Sequence, residues 1–305
     1  MRLVRARHQG SVAAGWLAGD LVHPFAIEGV DGVAAGGAQA ALLAAAMSRR
    51  PPAVTAPPFA LVEADLLAPV AEPPSVRDFY AFEAHVATAR GGRGLEVDPD
   101  WYELPVFYFT NPAAVIGPGA PVAAPVGCVE LDFELEVAAV IGVDAGDVAG
   151  ERWLDVVAGF CVMNDWSARD LQRREVRQGL GPAKGKDFAL SLGPWLVTPD
   201  ELPGVVSGRP TGAMVARVNG VERSRGQLGE IHHPWGALVA HASRSTVLRP
   251  GDVLGSGTVG TGCILELSLT HGTEFEPWLR AGDCVELEVE GLGVLVNPIV
   301  SRGLR

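Results

Sequence analysis

The stretch Leu131-Asp132-Phe133-Glu134-Leu135-Glu136-Val137-Ala138-Ala139-Val140-Ile141 constrains this chain more than any other. Apolar side chains alternate with carboxylates as far as Val137, and the run then becomes wholly apolar. A period of two predicts a β-strand, because successive strand side chains point to opposite faces. One face carries Leu131, Phe133, Leu135 and Val137. The other carries Asp132, Glu134 and Glu136, spaced by roughly 6–7 Å at a strand's rise per residue. Two readings of that acidic face are open. It is the solvated side of a half-exposed strand, or it walls a divalent-cation site, since neighbouring like charges repel unless a cation lies between them. The apolar continuation implies that the far end of the strand is buried on both faces.

The rest of the chain supplies a core for such a strand. Of 305 residues, 48% are hydrophobic and 20% charged, and the length suits about two domains at ~150 residues each. A net charge of −12 argues against a nucleic-acid partner, which requires a basic face. The N-terminal Met1-Arg2-Leu3-Val4-Arg5 is followed by no apolar signal region. The uncharged stretch 32–47 falls short of the ~20 apolar residues of a membrane span. A soluble cytoplasmic protein with no membrane partner is expected. Cys128, Cys161, Cys263 and Cys284 are scattered without a CxxC pair, which predicts reduced thiols and no structural disulfide.

Residues 1–30 alternate around small turns and predict a small β unit, followed by an Ala/Leu helix over 34–49. The proline-dense stretch 51–74 predicts a linker, dividing a small N-terminal accessory domain (1–72) from a larger second domain (73–305). In the second domain the pattern predicts a helix over 77–89, broken by Gly91, Gly92 and Gly94. Strands are predicted over 106–110, 131–142 and 157–163, then a helix over 166–178 capped by Asn164 or Asp165. Strands over 214–219, 252–254, 263–270 and 284–291 complete the chain. The class is mixed and mostly β with a few helices, which disfavours a doubly wound sheet. Gly255-Ser256-Gly257-Thr258-Val259-Gly260 satisfies GxGxxG, but it runs into a strand-like segment rather than a helix, so a dinucleotide site is not expected. These glycines instead let the backbone pass close to a ligand or to a neighbouring strand.

Two further segments carry chemistry. Asp165, at the junction of a strand and a helix, is an N-cap or a ligand at a strand tip, with Arg169 and Gln172 on the same helix face. Only two of the 24 basic residues are lysines, Lys184 and Lys186, and they fall within three residues. Such a pair in an arginine-dominated chain suggests a place where a compact three-donor ammonium is needed. His232, His233 and His241 match no zinc spacing and are expected on a loop or a helix face. His85, with Asp78, Tyr80 and Glu83 nearby, is a candidate base, with Glu83 a possible partner on the same helix.

Taken together, these segments resemble the fumarylacetoacetate hydrolase family. The matching pieces are Asp78-Phe79-Tyr80 with His85, Glu134-Leu135-Glu136, Met163-Asn164-Asp165-Trp166-Ser167-Ala168-Arg169-Asp170, Gly185-Lys186 with Phe188, and Gly257-Thr258 ahead of Leu265-Glu266. The resemblance spans roughly residues 75–300 and implies a β-roll or β-sandwich catalytic domain, usually dimeric, preceded by a small β-rich domain. It implies a divalent ion, Mg²⁺ first and then Ca²⁺ or Mn²⁺, held by Asp78, Glu134, Glu136 and Asp165. His85 would be the general base, oriented by Glu266, with Arg169, Gln172 and Lys186 around the reacting oxygens and Tyr80 and Thr258 on the substrate. The implied reaction is hydrolytic C–C cleavage of a β-diketo acid, with decarboxylation, isomerisation or hydration through an enolate as the alternative. Glu175-Val176-Arg177 stands where the family's tyrosine follows the NDWSARD helix, and Arg90 and Arg93 are the candidates for a substrate-contacting arginine. The acyl pocket therefore differs, and an acylpyruvate or another 2,4-dioxo acid is the expected substrate class.

Overall fold

Every residue of the strand Leu135–Ile141 is buried, and the strand lies in the middle of a large sheet. The computed structural model describes residues 1–26, 35–179, 181–272, 274 and 277–303. The N-terminal part comprises β1 (Arg2–His8), β2 (Ser11–Ala18), β3 (Leu21–Phe25), α1 (Ala35–Ser48), β4 (Phe59–Ala60) and β5 (Asp65–Leu67). There follow β6 (Val76–Phe79), α2 (Glu83–Gly91), α3 (Pro99–Glu103), β7 (Phe107–Thr110), β8 (Val115–Ile116), β9 (Leu131–Asp132) and β10 (Leu135–Ile141). Next come β11 (Ala145–Gly146), β12 (Val157–Asp165), β13 (Ser167–Ala168), α4 (Arg169–Val176) and β14 (Leu190–Val197). The last third holds β15 (Ala213–Val218), β16 (Val221–Gln227), α5 (Trp235–Ser243), β17 (Val247–Leu248), β18 (Val253–Gly255), α6 (Ile264–His271), β19 (Cys284–Val289) and β20 (Gly293–Pro298).

The large sheet runs β4-β3-β2-β1-β14-β12-β10-β18-β6-β7, with β5 on β1 and β8 on β14. Pairing is antiparallel except at β18–β6 and β14–β8. The boundary expected at residue 72 falls between β5 and β6, and strands on both sides of it join this one sheet, through the β1–β14 pair. A second sheet, β16-β15-β19-β20, supplies Met214, Ala216, Leu287 and Leu295 to a core shared with Val137, Phe160 and Val162 of the large sheet. Helix α1 packs Leu42 and Ala46 against Leu3, Ala138 and Ala158. The mostly β architecture with few helices is the one expected.

Four local expectations are corrected. Residues 76–79 are a fully buried strand, because β6 is paired by β18 on one side and β7 on the other, and helix α2 starts only at Glu83. The strand expected over 131–142 is interrupted at Phe133 and Glu134, so β9 pairs separately with β13. The helix after Asp165 begins at Arg169, with Ala168 at its N-cap, so neither Asn164 nor Asp165 caps it. Asp165 ends β12 and does not share a helix with Arg169 and Gln172. Finally, the strand expected over 263–270 is helix α6, which buries Ile264 and Leu267, one helical turn apart. The sequence here alternates as well as it winds, and short apolar runs do not separate the two.

Candidate active site and metal centre

Sheet pairing brings three carboxylates together. In the register of β18 with β6, Gly255 lies opposite Asp78, and β10 places Glu136 beside them while β12 ends at Asp165. Asp78, Glu136 and Asp165 offer carboxylate oxygens that all lie within 4.8 Å of one another. All three are buried, and so are Asp132 and Glu134, which removes the reading of a solvated acidic face. Gly255 is what makes room: a Cβ there would lie 2.4 Å from Asp78 Oδ1 and 2.4 Å from Met163 Cε. Gly257, at φ +78°, brings the backbone against Phe79 and Tyr80, where a Cβ would lie 2.5 Å from Phe79 O. The glycines thus serve a close backbone approach, as their spacing suggested. The segment does lead from strand β18 to helix α6, but the N–H groups of Ile264 and Leu265 that open the helix are taken by Asp132, at 2.7 and 3.0 Å.

The three acidic side chains of the opening run have separate fates. Asp132 also accepts from Arg169 Nε at 2.8 Å, so it fastens α4 to α6 and makes no part of the carboxylate group. Glu134 accepts from Arg169 Nη2 at 2.7 Å and from Lys186 Nζ, which engages both of its oxygens and sets it apart from the three-carboxylate group. Glu136 accepts from Gly257 N at 3.1 Å and from the Thr258 hydroxyl at 3.2 Å. Thr258, expected on the substrate, is therefore a partner of Glu136 in this structure.

Lys186 Nζ reaches Asp165 Oδ2 at 2.5 Å as well as Glu134, whereas Lys184 is exposed and pairs with Asp187 at 2.8 Å. One lysine of the pair is at the site and the other is on the surface. Glu175, at the family's tyrosine position, accepts from Ala183 N and Gly185 N, both at 3.1 Å, and so holds the loop that carries Lys186. Gln172 accepts from Arg169 Nη1 at 3.0 Å.

His85 Nδ1 lies 2.8 Å from Glu266 Oε2, with both side chains buried, although the ring N–H does not point straight along that line. Glu83, the other possible partner, accepts instead from Tyr102 at 2.7 Å. Tyr80 meets the His85 ring edge-on at 5.3 Å. Arg90 and Arg93 are occupied locally, by Glu96 O at 2.5 Å and Ala89 O at 3.2 Å. Tyr108 was not anticipated: its hydroxyl donates to Asp165 Oδ2 at 2.5 Å. The only sequence signal for it was an alternating Phe107-Tyr108-Phe109 on a strand, which fits any packed strand. His233 Nε2 donates to Trp101 O at 2.8 Å, and His241 is on α5, in line with the loop and helix-face expectation.

The electrostatics divide the site in two. Burial, then the Asp165 charge, raises the Asp78 carboxyl well above its usual range, and burial and Asp78 do the same for Glu136. Glu134 moves the other way: against burial, Arg169 and Lys186 lower its pKa. Burial lowers the pKa of Lys186, but Asp165 and Glu134 outweigh it, so its pKa is raised and it stays charged. Burial likewise raises Tyr108 well above its ordinary value, helped by Asp165, and raises Tyr80 to about 12. The arginine and the lysine thus serve Asp132, Glu134 and one side of Asp165, and leave Asp78 and Glu136 without a cation. Asp78 Oδ1 and Asp165 Oδ1 are buried with no hydrogen-bond partner. Unpartnered buried oxygens beside uncompensated carboxylates fit a hard divalent ion with oxygen ligands, Mg²⁺, Ca²⁺ or Mn²⁺.

Residues 75–300 match the family model of the fumarylacetoacetate (FAA) hydrolase C-terminal region. The chain belongs to the fumarylacetoacetate hydrolase family. Members of this family are enzymes. A Mycobacterium tuberculosis protein is 30% identical over 253 residues, 83% of this chain and 84% of its own. A Burkholderia multivorans relative is 36% identical over 192 residues, 62% of this chain, and the match spans 63% of that protein's length. Among solved structures, fumarylacetoacetate hydrolase from Exiguobacterium antarcticum superposes with a TM-score of 0.75 at 26% identity, over 99% of this chain and 100% of that one. The 5-carboxymethyl-2-hydroxymuconate delta-isomerase of Mycobacterium smegmatis does so at 0.72 and 29%, again over 99% and 100%. The fold and the family are common to a hydrolase and an isomerase. Among the described residues, no helix is long and apolar enough to cross a membrane.

Proposed function

We propose that this chain is a divalent-metal-dependent hydrolase that cleaves a C–C bond in a β-diketo acid of the acylpyruvate type. The observation that carries this reading is a buried carboxylate group, Asp78, Glu136 and Asp165, in which only Asp165 has a cation partner, together with a His85–Glu266 dyad close enough for His85 to act on the neighbouring Glu134. Those three residues would hold Mg²⁺, or Ca²⁺ or Mn²⁺, while Glu134 stays tied to Arg169 and Lys186 beside them. When bound, the ion supplies Lewis acidity toward the 1,3-dioxygen unit of a substrate and toward the enolate that departs.

The chain's own groups account for the rest. His85 takes a proton from water at Nε2, with Glu266 beside Nδ1 orienting the ring. Lys186 has two of its three N–H groups on Glu134 and Asp165 and keeps one for an oxyanion. Gln172 gives its carbonyl to Arg169, so that its amide N–H groups are the ones left to donate. Tyr80 closes over the base. The substrate is a small 2,4-dioxo acid, and a homodimer is the expected assembly, to be checked by light scattering.

A second reading keeps the site and changes the reaction to isomerisation or decarboxylation through an enolate. It is favoured by the isomerase names of the Mycobacterium smegmatis and Mycobacterium marinum structures. The deciding experiment is turnover of acylpyruvates, oxaloacetate and unsaturated keto acids, with Mg²⁺ and again with chelator. Metal-dependent release of pyruvate and a carboxylic acid supports hydrolysis. Turnover of the other substrates alone, retained in His85→Ala, overturns it.

A further inference from the structure

A second set of metal-ligating side chains stands beside the carboxylate group and is different in kind. His85, Cys263 and Glu266 offer an imidazole nitrogen, a thiol sulfur and a carboxylate oxygen, all within 4.8 Å of one another and all buried. Cys263 Sγ is 3.6 Å from Glu266 Oε2, and His85 Nδ1 is 2.8 Å from that same oxygen. His85 is 5% exposed, yet its Nδ1 makes no aligned hydrogen bond. Metal–ligand bonds of about 2.0–2.3 Å at a tetrahedral angle set ligand atoms roughly 3.3–3.7 Å apart; Cys263 and Glu266 already stand at 3.6 Å, and His85 and Glu266 would part by about half an ångström to seat an ion. A cleft of about 280 Å³ reaches Glu266 from outside, between Thr88 and Ala84 of α2, Arg225 and Glu230, and Gly260. Cys263 is a free thiol.

We infer that His85, Cys263 and Glu266 form an inhibitory site for a soft divalent cation of the zinc class, separate from the oxygen-only group of Asp78, Glu136 and Asp165. Thiolate and imidazole select such ions, whereas Mg²⁺ and Ca²⁺ prefer oxygen. Binding forms one metal–sulfur, one metal–nitrogen and one metal–oxygen bond and releases the thiol proton, leaving the fourth position to water. A metal on Nδ1 confines the ring proton to Nε2, so the imidazole no longer accepts a proton there. Inhibition therefore rests on His85 acting as the base. Binding does not.

The test is titration of the chain with Cd²⁺ in saturating Mg²⁺, which keeps the carboxylate group occupied. A thiolate-to-cadmium charge-transfer band at one ion per chain in the wild type, absent from Cys263→Ser and Cys263→Ala, supports the site. The same band in both variants, or none in the wild type, overturns it. The wild-type chain gives an independent reading by cadmium NMR: one thiolate with nitrogen and oxygen ligands supports the assignment, and an all-oxygen resonance overturns it. Zn²⁺ inhibition, normalised to each variant's own rate, is expected to weaken at least tenfold without the thiol. Loss of the Zn²⁺ effect with the cadmium band intact would count against His85 as base and leave the site standing.

Discussion

Asp132 is the side chain by which the carboxylate run is best tested, because the sequence groups it with Glu134 and Glu136 and the structure does not. It is fully buried and accepts three hydrogen bonds: Ile264 N on Oδ1, and Leu265 N and Arg169 Nε on Oδ2. Asp132→Asn keeps the shape and removes the charge. The amide settles with its oxygen toward Leu265 and Arg169, since that orientation preserves two of the three bonds, and its NH₂ then faces the Ile264 N–H. One buried backbone donor is left unsatisfied, at about 1–3 kcal/mol. The Arg169 bond also ceases to be charge-assisted, which costs about 1 kcal/mol more. Because Arg169 retains Glu134, the larger penalty of about 3–5 kcal/mol for stripping a buried ion of its partner does not apply. The sum is about 3 kcal/mol. With a slope of about 3 kcal/mol per molar, the urea midpoint falls by roughly 1 M. Divalent-ion affinity, measured by calorimetry on the same samples, is expected to stay within about threefold, given that Asp132 faces α6 and not the carboxylate group. An unchanged midpoint with a tenfold loss of ion affinity would make Asp132 a ligand and refute the reasoning.

Three other perturbations separate the parts of the site. Gly255→Ala puts a Cβ into space held by Asp78 Oδ1, so divalent affinity is expected to fall at least tenfold, with a stability loss of about 1–3 kcal/mol; unchanged affinity would show that Asp78 is not held by that glycine. Lys186→Met leaves Glu134 and Asp165 short of a buried cation and is expected to cost about 3–5 kcal/mol and abolish turnover, while the exposed Lys184→Ala stays within about 0.5 kcal/mol. Equal effects in thermal melts would remove the distinction between the two lysines. Burial first, and then neighbouring carboxylates, raises Asp78 and Glu136 well above the unfolded-chain range, so the folded chain keeps protons that the unfolded chain has released. Their contribution is fully present below about pH 4 and is lost as pH rises through the folded values. Glu134, shifted downward, adds no slope above about pH 5. In chelator the melting temperature is therefore expected to fall as pH rises above about 5, and saturating Mg²⁺ is expected to flatten that fall. Parallel curves with and without Mg²⁺ would count against ion binding at these carboxylates.

The parts of the fold legible in the sequence were those where one period had no rival. Residues 131–142 and 157–163 read as strands because each carries an apolar run whose length suits a strand buried on both faces, as β10 and β12 are. Residues 35–48 read as a helix because alanine and leucine favour it without competition. The segment 263–271 had two periods at once, and what settles it is a group more than a hundred residues away. The helix opens where Asp132 meets the free N–H groups of Ile264 and Leu265, a tertiary contact with no local trace. Asp78 was likewise placed on a helix because its strand, four residues long, exists through its two neighbours β18 and β7.

The same distinction governs the site. Lysine scarcity marked Lys186 because the need for an ammonium between two buried carboxylates is a property of the residue itself. Tyr108 escaped notice because a tyrosine between phenylalanines fits a role that needs no partner, and Glu175 stood out only as a departure from the family's tyrosine because its hold on the Lys186 loop has no local trace. Thr258 is the instructive intermediate. Its neighbours Gly255 and Gly257 were legible as a close backbone approach, and that approach aims the Thr258 hydroxyl at Glu136. A hydroxyl turned to a carboxylate lowers the cost of burying its charge, which is what a carboxylate needs if it is to meet a divalent ion in a core. Thr258→Val would keep the shape and remove that donor. Its expected mark is a further rise in the Glu136 pKa, read as a divalent affinity that falls more steeply at acidic pH than in the wild type. An identical pH dependence would show that Gly257 N alone carries that stabilisation.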